Sequence, residues 1–188
     1  MNGALGNNPT IPFPGGNGLG AVLFYNPTDL WYASIGAADS QDNVDSRRAG
    51  FTTGLHQQDD YFYMAETGVT PQIDSANGPM QGAYRVGLWY DPKPKGNTDA
   101  TAESAERRDD VGVYLSLDQM VCKENADAED GQGAGVFLRY GYADSQRNDI
   151  TNFVSAGFQY QGLLDGRDDD VLGVGWAYGV MSNQAKMT

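Results

Sequence analysis

One cysteine, one histidine and few basic side chains leave several chemistries without their parts in this chain of 188 residues. Cys122 has no second thiol for an intrachain disulfide, and His56 sits in a different segment, so neither a thiolate–imidazole pair nor a metal cluster is indicated. Both residues read as structural or incidental. Lys and Arg together number 12 against 25 Asp and Glu, a formal charge of −13, so nucleic acid, which needs a basic face, is excluded as a partner. No apolar run approaches the roughly 18 residues of a spanning helix, and the mean hydropathy is negative. A helical membrane protein is thereby excluded. A membrane barrel is not, because half of each of its strands is polar. Met1-Asn2-Gly3 opens neither a charged n-region nor an apolar h-region, which leaves an absent leader, a mature chain or a partial chain as readings. Signatures of P-loop, GxSxG, HExxH and dinucleotide sites are missing, as are repeats of solenoid or propeller length.

What the chain does have is alternation. Its length fits one domain. Residues 1–19 are rich in Gly, Asn and Pro, with Pro9, Pro12 and Pro14 close together, and read as a loop or extended arm. Residues 20–188 then carry about eight strand-length segments, at 21–25, 30–38, 61–69, 83–90, 111–121, 135–142, 153–161 and 171–181. Asn26-Pro27-Thr28-Asp29 has hairpin-turn chemistry, and the Pro/Asn/Gly stretch at 70–79 reads as a connection. The acids gather at 39–45, 99–110, 124–130 and 165–170, as solvated loops or as a field that disfavours anions. The short connections 26–29 and 164–170 are expected at one end of the sheet, and the long ones at 39–59 and 95–109 at the other. Periplasmic turns and extracellular loops divide in this way.

The registers separate two faces. In 84–90, Tyr84, Val86, Leu88 and Tyr90 point one way while Arg85, Gly87 and Trp89 point the other; in 136–142, Arg139 opposes Val136, Leu138, Tyr140 and Tyr142. Arginine on the lipid side of a barrel costs roughly 2 to 4 kcal/mol at the midplane, so the arginine face must look into a wet lumen. That choice places Glu66, Arg85, Trp89, Tyr114, Asp118, Arg139, Gln159 and Gln161 inside. Arg85 beside Trp89 suits a sugar, the guanidinium binding hydroxyls and the ring packing on C–H surface. Equally, both side chains fill the lumen and pair with acids. Glu66 and Asp118 offer an acid/base pair in principle, but carboxylates facing a lumen are better read as charge partners of Arg85 and Arg139, so no enzyme is expected. Asp168, Asp169 and Asp170 are weak calcium candidates without EF-hand spacing, and a turn held with Arg167 is the preferred reading.

At this point a family comes into view. Phe137-Leu138-Arg139-Tyr140-Gly141-Tyr142-Ala143-Asp144, Ser155-Ala156-Gly157, Gly162-Leu163 and Gly166-Arg167-Asp168-Asp169-Asp170-Val171-Leu172-Gly173 resemble the carbohydrate-selective porin (OprB-type) family. Asn7-Asn8-Pro9-Thr10-Ile11-Pro12 and Gly82-Ala83-Tyr84-Arg85-Val86-Gly87 are similar to earlier parts of the same proteins. The resemblance implies an antiparallel transmembrane β-barrel of about sixteen strands in the outer membrane of a Gram-negative-type bacterium. It implies passive diffusion of small sugars and other small solutes, with no cofactor and no chemical step. The partners would be permeating sugars and outer-membrane lipid, with a homo-oligomer left open. Family channels narrow to an arginine-rich eyelet with nearby acids and aromatics, and Arg139 and Arg85 sit in family-like stretches. About eight strands close only a barrel filled by its own side chains. Left open, such a sheet exposes edge backbone groups to lipid at several kcal/mol each. A partial chain, the central-to-C-terminal portion of a larger porin, is therefore the expectation. The rivals are a soluble or surface carbohydrate-binding β-sandwich and a small structural membrane barrel.

Overall fold

In a computed structural model of the chain, the residues described are 8–13, 19–40, 60–95, 108–126 and 131–183. His56, most of the long connections expected at 39–59 and 95–109, and the tail Lys186-Met187-Thr188 lie outside them. The described residues form strands and turns without a helix: β1 (Gly20–Tyr25), β2 (Trp31–Asp39), β3 (Tyr61–Val69), β4 (Gln72–Ser75), β5 (Gly78–Asp91), β6 (Asp110–Lys123), β7 (Gly133–Ala143), β8 (Ile150–Gln161) and β9 (Val171–Met181). They make one antiparallel sheet in the order β1-β2-β3-β5-β6-β7-β8-β9, with β4 paired to β5. Among the described residues the sheet is open, because β1 and β9 do not pair with each other.

The eight expected segments all appear, and β4 is the addition. Pro71 has no N–H to give to a ladder, which is why the stretch around it reads as a break. Its carbonyl, however, accepts from the Gly82 N–H at 2.8 Å. Val69 pairs with Tyr84 and Gln72 with Gln81, so one register runs unbroken across the proline. β3, β4 and β5 are thus a single long hairpin closed at Ala76-Asn77. Gly78 takes φ +94°, the left-handed residue that such a tight turn requires. The Asn77 amide ties the tip to the end of β6, donating to the carbonyls of Lys123 at 2.8 Å and Glu124 at 2.9 Å.

Strand directions put the connections 26–30 and 162–170, the end of β6 and the start of β7 at the same end as this hairpin tip. At the opposite end β2 stops and β3 starts, β5 stops and β6 starts, and the short connection 144–149 joins β7 to β8.

The two faces separate as the alternation requires. Val86, Leu88, Val113 and Val136 stand exposed on one side, with Trp176 57% accessible and Val174 73%. No second layer covers them among the described residues, whereas a sandwich would bury this surface. The opposite face is charged and aromatic, and its rings lie flat. Tyr32 covers Gly68, Trp89 covers Gly112, Tyr114 covers Gly87 and Phe137 covers Gly157, each ring lying on the glycine directly across the ladder. A Cβ at Gly87 or Gly112 would come within 2.2 or 2.4 Å of those rings, so the glycines are the space the rings occupy.

Candidate functional site

The charged face is stacked in layers set by strand register. Nearest the long-loop end, Met64, Trp89, Gly112 and Ala143 share a row. Glu66, Gly87, Tyr114 and Gly141 form the next, followed by Arg85, Ser116, Arg139 and Ser155. Asp118, Phe137 and Gly157 come after, and Gly135 with Gln159 beyond them.

Glu66 is held by two phenols. Tyr32 Oη donates to its Oε1 at 2.6 Å and Tyr114 Oη to its Oε2 at 2.7 Å. Asp118 is shared by two guanidinium groups. Arg85 Nη1 donates to Asp118 Oδ2 at 2.8 Å, and Arg139 Nη2 to Oδ1 at 2.6 Å. Arg85 Nη1 also reaches Ser116 Oγ at 3.4 Å. Arg139 Nη1 donates to the carbonyls of Leu117 at 2.7 Å and Leu138 at 3.0 Å, and its guanidinium lies 5.3 Å from the Phe137 ring centre. Two cations on one anion leave this triplet with a surplus positive charge. The side chain of Arg139 is only 15% accessible against 33% for Arg85, so Arg139 is the more fixed of the two.

Trp89 corrects the sequence reading. It lies on the expected face, yet it is 1% accessible, stacked on Phe62 at 6.2 Å and covered by Lys95 with Nζ 5.7 Å from the ring centre. Glycine at 112 lets the indole lie down against the wall, and Phe62, Tyr114, Ala143, Ile11 and Met64 pack around it. The ring is therefore not offered to a solute beside Arg85. Gln159 and Gln161, by contrast, border an open hollow together with Asp118 and Phe137. Each oxygen of Glu66 and of Asp118 accepts a hydrogen bond from a separate partner, an arrangement that suits fixed charges. Asp168, Asp169 and Asp170 lie in a turn where Arg167 pairs with Asp170 and the Gly162 N–H meets the Asp170 carbonyl at 2.9 Å.

The sequence reading misses a strap. Asn8 donates through Nδ2 to the Tyr140 carbonyl at 3.1 Å, and its Oδ1 accepts from Thr10 N at 3.1 Å and Thr10 Oγ1 at 2.7 Å. The space a Cβ would take at Gly141 is filled by Thr10 and Asn8 atoms, so residues 8–13 dock on the charged face. Thr10 is 1% accessible there, Ile11 joins the Trp89 cluster and Phe13 lies 6.1 Å from Phe62. The strap thus spans from β7 to β3, on the long-loop side of the arginine layer. At the rim above, Lys95 Nζ sits 2.6 Å from the fully buried Asp110 and 3.3 Å from Asp91, while Asn148 Nδ2 donates to Asp110 at 2.9 Å.

A sheet with an uncovered apolar face and an opposite face of paired charges is a section of a transmembrane β-barrel wall. The family model described as "Carbohydrate-selective porin, OprB family" matches residues 2–188, and the chain belongs to that family. It is similar to Porin B of Pseudomonas aeruginosa, with 26% identity over 165 residues, covering 81% of this chain and 35% of Porin B. In the solved "High pH structure of Pseudomonas putida OprB" the fold matches with a TM-score of 0.74 at 18% identity, over 89% of this chain and 41% of that one. The chain thus spans less than half the length of either relative.

Proposed function

We propose that this chain forms part of the wall of an outer-membrane porin of a Gram-negative-type bacterium, passing small sugars and other small solutes by passive diffusion. The observation that carries the reading is the sidedness of the sheet: Val86, Leu88 and Trp176 uncovered on one face, the Arg85–Asp118–Arg139 triplet on the other. Lipid suits the first face and a water-filled passage the second. Family membership supports the same reading. Diffusion needs no chemical step, and no cofactor enters it. The assembled barrel would have about sixteen strands, with residues 20–188 supplying wall and 1–19 an arm. Arg85, Arg139, Asp118 and Glu66 are the charged groups a passing solute would meet.

The test is glucose uptake into liposomes holding the full-length protein, with Arg85→Ala and Arg139→Ala compared against the unaltered channel. Altered flux or sugar selectivity is expected, and unchanged flux and selectivity in both variants would reject the assignment. Heat-modifiable gel migration together with single-channel conductance separates a porin from a β-sandwich or a closed structural barrel.

A further inference from the structure

The side chains of the arginine layer are bonded chiefly to one another and to the wall. Both oxygens of Glu66 and both of Asp118 are engaged, and Arg139 spends its terminal nitrogens on Asp118 and two backbone carbonyls. Toward the short-turn end the situation reverses. A hollow of about 320 Å³ lies over β5 to β8, bordered by Gln81, Gln159, Gln161, Phe137 and Asp118. Among the described residues, none of these three glutamine side chains makes a hydrogen bond. Its volume falls in the range of small-molecule sites.

Each glutamine amide offers two donors and an acceptor, a set that matches the adjacent hydroxyls of a pyranose, which both give and accept. Phe137, kept low against the wall by Gly157, supplies apolar surface for the C–H face of such a ring. Asp118 is itself paired with both arginines, so the groups the hollow offers a ligand directly are the neutral glutamine amides, which suit a polyhydroxylated solute. Gly133 and Gly135 keep the floor free of side chains.

Resting on the porin reading, we infer that this hollow is a resting subsite for a neutral monosaccharide, separate from the arginine layer, with Gln159 and Gln161 as its principal hydrogen-bonding groups.

The test uses the full-length porin in planar bilayers, with glucose titrated against the ion current, and the variants Gln159→Leu, Gln161→Leu and their double. The expected result is a glucose-dependent current block whose half-saturating concentration rises roughly fivefold for each hydrogen bond lost. Sugar-free conductance should stay as in the unaltered channel, and Gln159→Asn should recover part of the block. A double variant that conducts and is blocked at the original glucose concentration overturns the inference. So does an unaltered channel that conducts but shows no glucose block at all. A protein that forms no channel in any arm instead removes the porin reading, and the subsite with it.

Discussion

Replacing Gly141 with valine should lift residues 8–13 from the wall. A Cβ at this position would stand 2.1 Å from Thr10 Oγ1 and 2.5 Å from the Asn8 amide, distances that side chains do not tolerate. Either the strap leaves or the strand bends, and the strap is held by less. Its Asn8–Tyr140 hydrogen bond contributes about 1 kcal/mol. Ile11, half-buried on the Trp89 cluster, adds about another 1 kcal/mol, roughly half the value of a fully buried aliphatic side chain. Losing about 2 kcal/mol shifts the docked-to-undocked ratio roughly 30-fold. The readout is thiol labelling at position 10. In a Cys122→Ser background, needed because Cys122 is exposed, Thr10→Cys should react slowly, since Thr10 is 1% accessible. Adding Gly141→Val should speed the labelling by a comparable factor and raise single-channel conductance as the passage widens. Unchanged labelling and conductance in a variant that still shows heat-modifiable migration would refute the docking argument.

Gly112→Ala should destabilise the barrel by about 1 to 3 kcal/mol, because the new methyl meets the Trp89 ring and the Tyr142 carbonyl at 2.4 Å; urea titration of the refolded protein in lipid vesicles would measure it. Leu88→Arg, on the exposed apolar face, should cost about 2 to 4 kcal/mol in vesicles if that face meets lipid near the midplane. A cost near zero would mean that position 88 faces water.

The strands were readable because each fault in the alternation carries a penalty. Arginine at 85 and 139, in the middle of otherwise apolar registers, has only one permissible side, and that side proves to hold Glu66, Asp118, Tyr114, Gln159 and Gln161 as well. The sharing of Asp118 between the two arginines was not readable. It depends on which residue of β6 stands beside which of β5 and β7, and pairwise register is not written in any single strand. β4 escaped because Pro71, Asn77 and Gly78 are turn-formers, and only the hydrogen bond from Gly82 reveals that the ladder carries on past the proline. Trp89 lies on the face its register gives it, but its burial is not legible in the strand, where a sugar contact and a lumen-filling role read equally well. Its cover comes from Ile11 and Phe62, remote in sequence, and from a strap whose prolines hid any periodic signal. The glycines opposite Tyr32, Trp89, Tyr114 and Phe137 were visible as residues, though their purpose emerges only once the ladders are paired.

The length of β5 has an outcome for the molecule's profile. Its 14 residues extend about 48 Å at roughly 3.4 Å per residue. Inclined by about 40°, they rise some 37 Å against an apolar belt about 25 Å tall, so about 12 Å must project beyond the hydrocarbon. Asn77 fastens the tip of that projection to the end of β6, so part of the excess is a stiffened spur at the short-turn end, where the wall stands proud of the hydrocarbon like the lip of a cup.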